Sequence, residues 1–189
     1  MTDKMLQPLS DVVLLQCISE GKEAAFEELY QRYNLPVFNY LVRLTHDNGV
    51  AEELLQDVFL IIWQDAGSFR GHASVKTWLF RIAHHRAVSW LRQRPGNIQG
   101  DFEDVGITDI ATDPEGKVIE AWTVKQIRAA LDSLSNKHRA VLELAFFYDL
   151  PYTEIAQVIQ CPIGTVKSRV SYARRCLLQY LKKHGLSEL

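Results

Sequence analysis

The sequence predicts an all-α protein: two small helical domains joined by an acidic flexible linker. Three observations carry that reading. Apolar residues recur at helical steps of three and four, while few segments alternate with period two or cluster β-branched residues as strands require. Helix breakers concentrate in "PGNIQGDFEDVGITDIATDPEG", with Pro at 95 and 114 and Gly at 96, 100, 106 and 116. Charge is partitioned along the chain: residues 1–94 carry −1, residues 95–123 carry −6 and residues 124–189 carry +5. A net charge of −2 therefore conceals a basic C-terminal unit behind an acidic connector, an asymmetry that points to a polyanion partner. The predicted units are residues 1–94, a linker at 95–123, and residues 124–189.

At 189 residues and 47% hydrophobic, the chain has material for a sizeable core. The first apolar run, "VVLLQCI", lacks a basic leader, and "VFLIIW" is far shorter than the roughly 20 residues a bilayer requires, so a cytoplasmic protein without membrane insertion is expected. Cys17, Cys161 and Cys176 form no CxxC spacing and read as small buried hydrophobes. His72, His84 and His85 lack thiol or acid neighbours, so no metal and no cofactor is expected. Neither a nucleophile–base pair nor a phosphate-cradling glycine loop is visible, and the chain does not read as an enzyme.

In the first unit, "KEAAFEELYQRYNLPVFNYLVRL" places Phe26, Leu29, Tyr30 and Tyr33 on one face, and Pro36 is expected to kink or restart that helix. "GVAEELLQDVFLIIWQDA" turns Leu54, Val58, Ile61 and Ile62 inward. After the loop "GSFRGHASV" comes "KTWLFRIAHHRAVSWLRQR", with apolar Trp78, Leu79, Ile82, Val88 and Leu91. Its cations are Lys76, Arg81, Arg86, Arg92 and Arg94, and it contains no acid.

In the second unit, "SNKHRAVLELAFFYD" starts from Ser135 as N-cap and buries Val141, Leu142, Leu144 and Ala145. "TEIAQVI" is a short helix with Thr153 as N-cap and Ile155 and Ile159 inward; "QCP" is the turn, and Pro162 opens the last helix. That helix carries one apolar stripe, Val166, Val170, Ala173 and Leu177. The rest of its circumference is Thr165, Lys167, Ser168, Arg169, Ser171, Tyr172, Arg174 and Arg175, again without an acid. Solvated helices usually mix charges because i,i+4 pairs support them. Helix, short turn and a second helix with one cationic face is the helix-turn-helix arrangement, whose second helix enters the major groove.

These residues resemble a known family. "LPYTEIAQVIQCPIGTVKSRVSYARRCL" is similar to the promoter-binding helix-turn-helix of bacterial RNA polymerase sigma factors. "AFEELYQRYNLPVFNYLVRL", "AEELLQDVFLIIW" and "FRGHASVKTWLFRIAHHRAVSWLR" resemble their core-binding and melting region. The likeness spans roughly residues 22–94 and 130–182, and two domains with a short linker resemble the extracytoplasmic-function group.

The resemblance implies three sites. Thr165, Lys167, Ser168, Arg169, Ser171 and Tyr172 fall where the family contacts the upstream promoter element, with Arg174 and Arg175 on the DNA backbone. Phe69, Arg70, His72, Lys76, Arg81, His84, His85 and Arg86 fall where it captures an unstacked base of the downstream element, while Trp78 and Trp90 read as core. The family commonly shows Arg-Asn where this chain has His84-His85, and that Asn typically lines the base pocket; His85 has a different reach, which leaves the preferred base open. Glu53, Gln56 and Asp57 fall on the surface that docks the clamp helices of the largest polymerase subunit. Further implied partners are the flap of the second-largest subunit, promoter DNA, and a membrane-bound or soluble anti-sigma factor.

Overall fold

The computed structural model describes residues 9–93 and 129–183. The N-terminal lobe consists of α1 (Asp11–Ser19), α2 (Glu23–Thr45), α3 (Asn48–Asp65), a short 3-10 turn (Ala66–Ser68) and α4 (Val75–Gln93). The C-terminal lobe consists of α5 (Asn136–Phe146), α6 (Tyr152–Val158) and α7 (Ile163–Lys183). No strand occurs among the described residues. The predicted linker at 95–123 lies outside them.

Local chemistry sets the helix ends. Ser10 caps α1 by accepting from the Val13 N–H, and Asp11 places an anion in its first turn, where the helix dipole favours it. The Asp11 carboxylate also accepts from Arg32 (2.8 Å) and from the Tyr33 hydroxyl, tying α1 to α2. Of the kink or restart expected at Pro36, the restart does not occur: α2 runs through it as one helix. Burial of Val37, Tyr40, Leu41 and Leu44 in the next two turns holds the helix across the missing N–H donor. The helix stops at His46, whose φ of 57° is left-handed, and Asp47 then caps α3 through the Val50 N–H (3.1 Å).

The N-terminal core collects Leu14, Leu29, Leu41, Val58, Ile62, Leu79 and Phe80, all at most 1% exposed. Of the residues expected inward, Leu54 and Val58 are buried; Ile61, Ile82 and Val88 are half-buried, and Tyr30 is exposed. Trp78 is buried and Trp90 packs half-buried against the core, as expected. All three cysteines are half-buried at the core's edge.

In the C-terminal lobe Ser135 occupies the N-cap of α5, its hydroxyl meeting His138 Nδ1 at 2.7 Å. Thr153 is not the cap of α6; the helix begins one residue earlier, capped by Pro151 in the extended conformation its ring favours. Pro162 likewise precedes α7, its carbonyl accepting from Thr165 N (2.8 Å) and Val166 N (3.2 Å).

The lobes are packed together, α4 against α6 and α2 against α5. Tyr148, at the end of the α5 turn, inserts its ring between Phe80 (centroids 4.4 Å apart) and Tyr40 (5.9 Å). Its hydroxyl donates to Pro36 O (2.9 Å). Arg139 is 2% exposed and donates to the carbonyls of Leu131, Asp132, Leu134 and, across the interface, Arg43, as well as to His46 Nε2. Glu143, 1% exposed, takes the Arg43 guanidinium as its ion-pair partner. Burial raises the Glu143 pKa, with Arg43 and then Arg139 pulling the other way.

Candidate nucleic-acid interface

α7 divides cleanly along its length. Val166, Val170 and Ala173 are at most 2% exposed and pack on α5 and α6, which fixes the orientation of the opposite face. Leu177, predicted on the same stripe, is half-buried. Lys167, Ser168, Ser171, Tyr172, Arg174 and Arg175 are exposed; Thr165 and Arg169 are half-buried. The face is ordered by aromatic contacts. The Tyr172 ring lies 4.5 Å from that of His138, the Arg175 guanidinium sits 5.3 Å from the Tyr172 centroid, and Arg174 sits 5.2 Å from Phe146. An open cleft of about 440 Å³ is lined by His138, Ser168, Arg169, Ser171, Tyr172 and Arg175. Among the described residues no acid lines it, so it presents donors and positive charge to an anionic ligand. His138 was not among the sequence candidates, because it reaches this face from another helix.

The predicted melting site is assembled less completely. Arg70, His72, Arg81 and His85 are exposed. Phe69 is half-buried edge-on against Trp78 (5.6 Å), so its ring belongs to the core rather than to an open stacking platform. His84 turns inward, its Nδ1 at 2.8 Å from the Tyr40 hydroxyl. Burial, followed by the charges of Arg169, His85 and Arg92, lowers its pKa to about 4, so the ring is neutral at physiological pH. Lys76 donates to Tyr148 O (2.5 Å) across the lobe interface.

Arg86 pairs with Asp57 (3.2 Å), which joins a residue predicted to bind DNA to one predicted to bind polymerase; Arg86 Nε is buried without a partner. Glu53 and Gln56 stand exposed on α3 beside that pair. Between the lobes a cavity of about 290 Å³ brings together His84 and His85 from α4, Gln160 from the turn after α6, and Arg169 from α7. Candidates for two separate promoter elements thus line one cavity.

Residues 29–95 match the model for Sigma-70 region 2, and residues 125–177 match that for Sigma-70, region 4. The ECF RNA polymerase sigma factor RpoE of Cereibacter sphaeroides is 35% identical over 176 residues, covering 90% of this chain and 94% of that protein. The chain belongs to the ECF RNA polymerase sigma factors. RNA polymerase sigma factor YlaC of Bacillus subtilis is 33% identical over 164 residues, 84% of this sigma factor and 93% of the relative. Among solved structures, sigma factor RpoE from Bartonella quintana, co-crystallised with the anti-sigma factor NepR, aligns with a TM-score of 0.65 at 29% identity. That alignment covers 82% of this chain and 98% of the other. CnrH, in complex with the cytosolic domain of CnrY, shares the fold (TM-score 0.68, 19% identity, 92% and 97% covered). The family is one of transcription initiation factors, and no described helix of this member is long and apolar enough to cross a membrane.

Sequence reasoning missed the residues that join the lobes. Arg139 and Glu143 are four apart and opposite in charge, a pattern that reads as a solvated surface pair, yet both are buried. Ser74, Thr77, Tyr148 and Glu154 carry no local signal of a contact with the other lobe.

Proposed function

We propose that this sigma factor binds core RNA polymerase in the cytoplasm and directs initiation through its two lobes, as folding domains at residues 1–94 and 124–189. In this reading α7 enters the major groove of the upstream element, with Lys167, Ser168, Arg169, Ser171 and Tyr172 near base edges and Thr165, Arg174 and Arg175 holding phosphates. The loop before α4 and its exposed face, with Arg70, His72, Lys76, Arg81 and His85, serve the downstream element. Phe69, His84 and Arg86 support that surface from beneath. Glu53, Gln56 and Asp57 meet the clamp helices of the largest subunit, and the C-terminal lobe meets the flap of the second-largest.

A membrane-bound or soluble anti-sigma factor is a further partner, by analogy with the RpoE–NepR complex of Bartonella quintana. The single observation that carries the reading is α7, anchored by a buried valine–valine–alanine stripe and acid-free on its outer face. Run-off transcription with purified core polymerase on a randomised promoter library tests it. Initiation at a recurrent two-element sequence is expected, and an absence of initiation above core enzyme alone would overturn the proposal.

A further inference from the structure

The cavity of about 290 Å³ between the lobes has two unlike walls. One is apolar: Leu44, Leu91, Ala140 and Val158 line it, each at most 7% exposed. The other is cationic, with His85 and Arg92 from α4 and Arg169 from α7. Among the described residues no acid lines the cavity, and neither Arg92 nor Arg169 has a carboxylate partner. His85 and Arg92 are exposed, so the cavity is reached from solvent on their side. Like charges gathered beside an apolar wall repel one another and lose hydration, a cost that a bound anion offsets.

His84 adds a donor of fixed orientation. Burial first, then the charges of Arg169, His85 and Arg92, lower its pKa to about 4, which keeps the ring neutral. Its Nδ1 lies 2.8 Å from the hydroxyl of Tyr40, which is 0% exposed and held protonated by burial. A buried hydroxyl needs an acceptor, so Tyr40 donates to Nδ1 and the ring carries its proton on Nε2. His84 therefore offers the cavity an N–H and no acceptor.

Guanidinium forks suit phosphate oxygens bidentately, and two of them with an imidazole N–H match a doubly charged group. The volume equals that of about ten waters at roughly 30 Å³ each, room for a phosphate and a ring system. We propose that this cavity binds a small aromatic phosphate monoester, of the size of a nucleoside monophosphate. Arg92, Arg169 and His84 Nε2 hold the phosphate, and the rings lie against Leu44, Leu91, Ala140 and Val158. The ligand bridges the lobes, because Arg92 and Arg169 belong to different ones. This site goes beyond the promoter reading and does not depend on it.

Isothermal titration calorimetry of the full chain at low salt tests it, with adenosine monophosphate, phenyl phosphate, adenosine and inorganic phosphate as probes. Both esters are expected to bind at one site per chain. Adenosine and inorganic phosphate should bind at least tenfold more weakly, since each lacks one of the two contacts. Arg92→Met removes a charged hydrogen bond and should weaken both esters about tenfold or more. Val88→Phe, on the half-buried lining, narrows the cavity with every charge in place and should weaken them as much. Lys182→Met, at an exposed cation near the end of α7, should change nothing. Thermal unfolding without ligand identifies the variants that are folded. Absence of binding by either ester would overturn the site, as would inorganic phosphate binding as tightly as phenyl phosphate. Wild-type affinity in Arg92→Met or in folded Val88→Phe, or an equal loss in Lys182→Met, would do the same. A chain that binds adenosine monophosphate but fails in run-off initiation refutes the promoter reading alone.

Discussion

The Arg43–Glu143 pair offers the sharpest test of how the lobes are joined. The Glu143 side chain is 1% exposed and that of Arg43 is 36% exposed, so Arg43→Met strands a buried carboxylate while keeping the apolar stem. Removing one partner of a buried pair typically costs 3–5 kcal/mol; because water reaches the Arg43 side, the lower end, about 3 kcal/mol, applies. Loss of the guanidinium 4.1 Å from the Phe147 centroid adds roughly 0.5 kcal/mol. Replacing both partners with methionine removes the stranded charge. Arg139 remains satisfied by the carbonyls of Leu131, Asp132, Leu134 and Arg43, so the double variant should recover most of the loss.

Urea denaturation of wild type, both single variants and the double variant gives the cycle, with a coupling energy of about 2 kcal/mol or more expected. pH supplies a second arm. Burial raises the Glu143 pKa in the packed state, and a raised carboxyl stabilises that state below its unfolded pKa and loses the contribution as pH rises through the folded value. Without Arg43 that loss grows, so Arg43→Met should be less destabilising near pH 5 than near pH 8. Additive single-variant losses, or a penalty independent of pH, would refute the reasoning.

Other outcomes follow from the same geometry. His84 has its pKa lowered to about 4 from 6.5 by burial and by Arg169, His85 and Arg92, so its contribution to stability is intact above pH 6.5 and falls toward pH 4. Between about pH 7.5 and about pH 5 this amounts to about 2 kcal/mol, and His84→Gln should flatten that part of the stability profile. Arg174→Ala should weaken binding to promoter duplexes uniformly across sequences and reduce the slope of log K against log salt by about 1, measured by fluorescence anisotropy. Leu144→Ala, at a fully buried site of α5, should cost about 2–5 kcal/mol in thermal unfolding. Exchanging the acids of residues 95–123 for Asn and Gln should raise the free protein's affinity for duplex DNA at low salt; unchanged affinity would remove any screening role for them.

The amino-acid order by itself determined the all-α class, the main helices and the polarity of α7. Those follow from period and charge within one segment, and a stripe such as Val166, Val170 and Ala173 has one packing solution on a helix. It also carried the family, because "TVKSRV" and "KTWLFRIAHH" fix residue types at set spacings. Tertiary structure alone decided that Pro36 is carried through a continuous helix, because the burial that holds it there involves neighbours distant in sequence. It alone decided that Arg139 and Glu143 leave solvent, that Arg86 turns to Asp57, and that Glu154 reaches Ser74 and Thr77 some eighty residues away. A charge is written locally, but its partner and its desolvation are set by whichever surface the chain folds against it.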